Sequence, residues 1–192
     1  MPAPTTPDEV CALLSRFGAL RPQPASDWNG EGALPPELAR LYAEVGPMGE
    51  AGALLIPHYG NEIRIPSLSA LWALQEGYRW NGRDGRRLPD WPDHWLVVAE
   101  QGGDPFILDR EGGAVLHARH GEGAWNPAPL FPGILAAIAA LGTFGALHEE
   151  AGEDLLDESF EPRPAWRAEL LARLGRFLGP EGAARAAERL EW

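Results

Sequence analysis

A chain of 192 residues with 45% hydrophobic content is long enough to bury a full core as one domain of ordinary size plus an appendage. Its 28 acids against 16 bases give a formal net charge of −12, a field that repels phosphate backbones, disfavours direct nucleic-acid binding and favours basic partners or simple solubility. All sixteen bases are Arg, which excludes Schiff-base and P-loop lysine chemistry, and the single cysteine, Cys11, excludes an intrachain disulfide and a cysteine-rich zinc site.

The opening MPAPTTPDEV lacks the basic and apolar regions of a secretory signal, so a cytoplasmic address is expected. Thr6-Pro7-Asp8-Glu9 then carries a cap hydroxyl, a proline at the first helical position and an acid three residues after the cap. The spacing predicts a helix with Val10, Leu13, Leu14 and Phe17 on its buried face. Ser26 to Gly32 reads as loop and Pro36 to Val45 as a second short helix. Ala53 to Ile56 and Asn61 to Ile65 read as strands around a Pro57-His58-Tyr59-Gly60 turn, and Ser67 is placed to cap a helix ending near Tyr78. The polar, Gly-rich stretch Arg79 to Asp90 is expected to be an exposed loop.

Leu96 to Ala99 and Phe106 to Leu108 are strand-like runs around Gln101-Gly102-Gly103-Asp104, whose glycines suit a hairpin turn. A second turn at Asp109 to Gly113 leads to Ala114-Val115-Leu116, so the segment reads as an antiparallel meander. Gly121 to Pro129 is expected as loop and Leu130 to Leu141 as a helix covering the sheet. Leu130 to Leu147 is uncharged and long, yet Pro132 interrupts it and no basic flank borders it, which favours a buried helix over a membrane span.

Glu149, Glu150, Glu153, Asp154, Asp157, Glu158 and Glu161 cluster in a run without a base, which reads as a solvated linker or as a docking surface. Beyond it, Trp166, Leu170, Leu174 and Phe177 recur at helical spacing, Gly179-Pro180 stops that helix, and an Ala-rich helix follows to Trp192. Two such helices cannot bury a core alone, so they must pack on the main body, a second copy or a partner. The chain therefore divides into a main domain at 1–145, an acidic linker at 146–163 and a helical hairpin at 164–192, with the oligomeric state left open.

Local chemistry is sparse. His117 and His120 are spaced to point to opposite faces of a strand, no zincin glutamate follows, and neither a metal nor a cofactor is implied. Asp104 and Asp109 sit where their oxygens stabilise turns, a reading favoured over paired acid-base catalysis. No serine lies in a nucleophile elbow, and Gly102-Gly103 and Gly112-Gly113 lack the spacing of a dinucleotide loop. Trp125 and Trp192 are the tryptophans best placed to serve as exposed anchors.

The order Trp95, Gly102-Gly103-Asp104, Asp109, preceded by Leu34-Pro35-Pro36-Glu37-Leu38 and the Leu41-Tyr42 pair, resembles the SUKH superfamily over about residues 30–142. That superfamily joins fungal cell-wall-assembly regulators to bacterial immunity proteins of polymorphic toxin systems. The resemblance implies an α+β fold in which a mainly antiparallel sheet is covered by helices, with the C-terminal hairpin outside the shared pattern. It also implies a non-enzymatic binding protein that neutralises a cognate toxin, often a nuclease, by covering it. The alternative of the same kind is an intracellular scaffold of the cell-wall-regulator type, and a small hydrolase would need a catalytic cluster that the sequence does not display. The interface expected on this reading comprises Glu149, Glu150, Glu153, Asp154, Asp157 and Glu158 first, then Glu100, Asp104 and Glu122, with Trp125 as an apolar anchor.

Overall fold

Thr6 closes the first helix at its N-terminus as its neighbours require. In the computed structural model, which describes residues 5–49, 51–121 and 124–192, α1 (Pro7–Leu14) begins with a reciprocal cap. Glu9 N–H donates to Thr6 Oγ1 at 3.3 Å and Thr6 N–H donates to Glu9 Oε2 at 2.9 Å, so orphan amides of the first turn are satisfied. The short helix α2 (Pro36–Glu44) follows, burying Leu38, Leu41 and Tyr42, whose hydroxyl donates to the Pro66 carbonyl at 2.9 Å.

Among the described residues six strands form one sheet: β1 (Ala53–Ile56), β2 (Ile63–Pro66), β3 (Trp95–Gln101), β4 (Asp104–Asp109), β5 (Val115–His117) and β6 (Ala128–Phe131). Each pairs antiparallel with its neighbour in sequence, so the expected three-strand meander is the centre of a longer one. Gly102 and Gly103 make the β3–β4 turn with φ of 58° and 97°, the left-handed pair that a two-residue hairpin requires. The α+β class is as expected, with helices over an antiparallel sheet.

The strand β6 replaces part of the loop expected at Gly121 to Pro129, and the helix expected from Leu130 starts four residues later. Pro129 pairs with Leu116 at the sheet edge, where a missing N–H costs no ladder bond. The helix α4 (Ile134–Ala151) then runs ten residues past the expected end at Leu141. It is buried on almost every side between the sheet, α1, α2 and α5 (Pro164–Arg189). The stretch Ile134–Asp154 is long and apolar enough by composition to cross a membrane, and 72% of its apolar 18-residue window is buried within the fold.

The helix after Ser67 is also shorter than expected: α3 (Leu68–Leu71) gives way to a 3₁₀ turn at Ala73–Gln75. Buried Gln75 accounts for the change. Its amide donates to the Leu71 and Val97 carbonyls while its Oε1 accepts Val97 N–H, so the side chain works as a piece of strand backbone against β3. Arg79, expected in an exposed loop, is 2% exposed. Its guanidinium lies over Trp72 and donates to the Asp93 and Trp95 carbonyls at 2.9 and 2.6 Å, which compensates the buried charge by hydrogen bonding.

The sheet is covered on both faces. The helical face holds the main core, which includes Leu54, Ile63, Leu96, Phe106 and Phe131 with Leu14, Leu41, Ile138 and Phe144. The other face carries a smaller cluster of Tyr78, Trp91, Val97, Ile107, Leu116 and Ala118, with Trp95 and Trp125 packed against it. The C-terminal hairpin joins the main core through Leu170, Leu174, Ala183, Ala187 and Trp192, so it docks on the body of the same chain. Gly179, at φ 73° and ψ 168°, breaks α5, and Arg167 near its start donates to the Trp192 carbonyl, which shows that the two halves fold back on each other. The expected linker at 146–163 is corrected by the same packing. Its first residues are the last turns of α4, and Ala151 and Leu155 are buried in the core.

Candidate docking surface

The acidic run does not behave as one unit. Glu149 and Glu150 lie at the end of α4, where Glu149 accepts from Arg16 at 2.9 Å and Glu150 from Arg16 at 3.1 Å and Arg173 at 2.8 Å. Hydrogen bonds and charge from Arg173 and Arg16 hold the Glu150 carboxyl below its usual range. Glu150 thereby ties Arg16, just after α1, to Arg173 on α5. Asp154 meets Arg163 at 3.3 Å and accepts the Trp166 indole N–H at 3.1 Å. The acids left outward are Glu153, Glu158 and Glu161, all exposed.

They surround a loop that ties itself shut. Leu156 bridges Pro162, Asp157 N–H donates to the Glu161 carbonyl at 2.9 Å, and the Asp157 carboxylate accepts the Ser159 and Glu161 amides at 2.8 and 3.2 Å. At its tip Phe160 is 80% exposed and holds φ 62°. An aromatic side chain in water and a bulky residue in left-handed backbone are two separate costs, and here one residue carries both.

Beside Phe160 runs a groove of about 370 Å³ lined by Tyr59, Glu161, Arg167, Glu188, Glu191 and Trp192. Three carboxylates face one guanidinium there, although Glu191 also meets Arg119 at 2.9 Å. Burial first, and then the charges of Glu191 and Glu161, push the Tyr59 hydroxyl up to about 12. Glu191, at φ 63°, and Phe160 are the two non-glycine residues with positive φ among the described residues, and both line this groove.

The second-rank interface residues lie elsewhere. Glu100 on β3 accepts the Tyr78 hydroxyl at 3.1 Å, and Asp104 accepts the His120 backbone N–H at 2.7 Å with the ring Nδ1 at 2.6 Å. Both carboxylates are therefore engaged internally. Trp125 is half-buried against Tyr78 and Trp91, with ring centroids 5.4 and 5.8 Å away, and Trp192, expected as an exposed anchor, is fully buried. Glu122 lies outside the described residues. The exposed aromatic that the sequence did not single out is Phe160. Its only local signal is an aromatic residue inside an acidic, turn-forming stretch, Asp157-Glu158-Ser159-Phe160-Glu161-Pro162.

At the sheet end, near the β3–β4 turn, the fold assembles polar groups from distant parts of the chain. His58 Nε2 accepts the Trp192 indole N–H at 3.1 Å, and His58 Nδ1 lies 2.8 Å from the Tyr59 carbonyl. His117 Nδ1 accepts Arg189 Nε–H at 2.8 Å. Burial lowers both rings to about 4, with Arg189 adding to the effect at His117. Asp109 is at the far end of β4 from Asp104, where it accepts Glu111 N–H at 3.0 Å, so the two aspartates do not converge. The hollows bordering His120 are lined by no serine, threonine or cysteine among the described residues. Among the described residues, no three His, Cys, Asp or Glu side chains meet as a metal-binding group.

Comparison with protein-family models, curated proteins and solved structures finds no match to this chain.

Proposed function

We propose that this chain is a non-enzymatic binding protein whose docking face is the Phe160 loop and the adjoining acidic groove, and that its partner is a basic protein. Phe160 carries the reading: an outward aromatic ring held in costly backbone by its own loop, within a rim of Glu153, Glu158 and Glu161, has the make-up of an interface anchor. The acidic rim steers a cationic partner, and the ring fills an apolar socket once water is expelled. The resemblance to SUKH proteins supports naming that partner a toxin domain, with inhibition by steric cover of its working face. A charge of −12 suits competition for a surface that binds nucleic acid.

The test is a photo-crosslinker at position 160 to capture the partner at low salt, followed by binding measurements on the purified pair. Phe160→Ala should weaken the complex by about 10- to 100-fold, the range of a buried aromatic anchor. The triple change Glu153→Gln, Glu158→Gln, Glu161→Gln should slow association at low salt and leave dissociation nearly unchanged. A partner bound at full strength by the Phe160→Ala protein would move the docking face elsewhere.

A further inference from the structure

The last turn of α5 is fastened by two histidines that no docking role uses. Trp192 Nε1 is a donor only, so His58 Nε2, 3.1 Å away, must be bare of a proton. The Tyr59 carbonyl is an acceptor only, so His58 Nδ1, 2.8 Å away, carries the ring's single proton; the Gln101 amide nitrogen at 2.9 Å is then a neighbour and not a donor. Arg189 Nε is likewise a donor only, so His117 Nδ1 is bare and its proton sits on Nε2, a buried atom without a partner. Donor chemistry alone fixes both rings as neutral, each in one tautomer and each accepting from the end of α5.

Protonation of either ring would turn an acceptor into a donor facing a donor. At His117 it would also place a charge against Arg189 and Arg119, with Asp104 the opposing carboxylate and Glu191 lining the same hollow. At His58 the facing groups are Phe144 and His148 from α4, Gln101 from β3, Tyr59 and Trp192, with the carboxylates of Asp104 and Glu191 lining the same hollow but giving the ring no hydrogen bond. The segment held in this way contributes Glu188, Glu191 and Trp192 to the groove beside Phe160.

We propose that His58 and His117 form a proton-operated latch, which holds the end of α5 closed at neutral pH and releases it on acidification, dismantling the acidic groove. The consequence for docking rests on the function proposed above; the latch itself does not. With each ring held near 4 in the closed form and near 6.5 once released, the closed-to-open ratio falls by up to about 100-fold per pH unit between those values, tenfold for each ring.

The test is hydrogen exchange of the full chain between pH 7.5 and 5.0, corrected for intrinsic rates, with β3 and β4 as internal reference. Opening of residues 183–192 should rise about 10²- to 10³-fold relative to the sheet, and a rise below about threefold would overturn the latch. The double variant His58→Gln, His117→Gln keeps an acceptor at each site but cannot titrate, so its opening should be flat with pH; a wild-type slope in that variant would equally overturn it. Should the variant not fold, ring NMR of the wild-type protein decides. At pH 6.0 His58 should be the neutral Nδ1–H tautomer and His117 the neutral Nε2–H tautomer, and titration of either near 6.5 overturns the proposal. Exchange is read on the free protein, so its outcome is independent of whether Phe160 binds a partner.

Discussion

At the scale of single residues, Phe160 sets stability against its proposed use. Left-handed backbone costs a bulky residue about 1–2 kcal/mol, and nothing in the fold covers the ring in return. Phe160→Gly should therefore stabilise the protein by about 1 kcal/mol, a rise of about 2–4 °C in Tm, while weakening the proposed complex by about the same 10- to 100-fold as the alanine change. A fall in Tm would show that the ring packs against the body more than its exposure indicates. The sequence displayed those residues whose partners are near in the chain. Thr6 and Glu9 cap each other across three positions, and Asp109 bonds two residues ahead. Arg79 and Trp192 were misplaced because their partners, Asp93, Trp95 and His58, are brought by other elements.

At the scale of elements, the break in α5 and the clamp beneath it lend themselves to direct tests. Gly179 holds backbone open to glycine alone, and Pro180 bars the helical alternative, so Gly179→Ala should cost about 1–3 kcal/mol in urea unfolding. A neutral result would mean the hairpin bends elsewhere without strain. Glu150→Gln removes the negative charge, and one of the two acceptor oxygens, through which Glu150 holds Arg16 and Arg173. Both pairs are partly exposed, so a loss of about 0.5–1 kcal/mol is expected, with the difference from wild type shrinking in 1 M salt. Glu153→Gln, by contrast, should leave the melting temperature unchanged. Helix starts, hairpin turns and the meander were legible because capping, left-handed glycine and alternation act over a few residues. The strand β6 was hidden by Pro129 within it, which is tolerated because the strand lies at the edge.

At the scale of the whole molecule, the two buried histidines couple pH to stability. Their folded values lie near 4 against about 6.5 when released, so the native state requires the neutral form. Above pH 6.5 both states are neutral and stability is complete. As pH falls from 6.5 to 4 the unfolded chain takes up protons that the native one refuses, and stability drops by about 1.4 kcal/mol per unit for each ring. Below 4 both states are protonated and the loss from these rings is finished. Thermal melts at pH 7.5, 6.0 and 5.0 should show a steepening decline that the double Gln variant lacks, apart from effects of carboxylates at lower pH.

The chain's own order of residues determined the elements and the class of fold: caps, turn glycines, strand alternation and the Gly-Pro break are short-range physics, complete within a few peptide units. The negative charge was equally evident, since it is a sum over composition. Tertiary structure alone decided which acids remain available, because Glu149 and Glu150 are neutralised by arginines more than a hundred and about twenty residues away in the chain, Arg16 and Arg173. It also decided that the hairpin belongs to the main core, that Phe160 and not Trp192 meets solvent, and that His58 and His117 both hold the end of α5. Burial and ion pairing depend on which distant surfaces come together, and that is a property of packing which no local pattern contains.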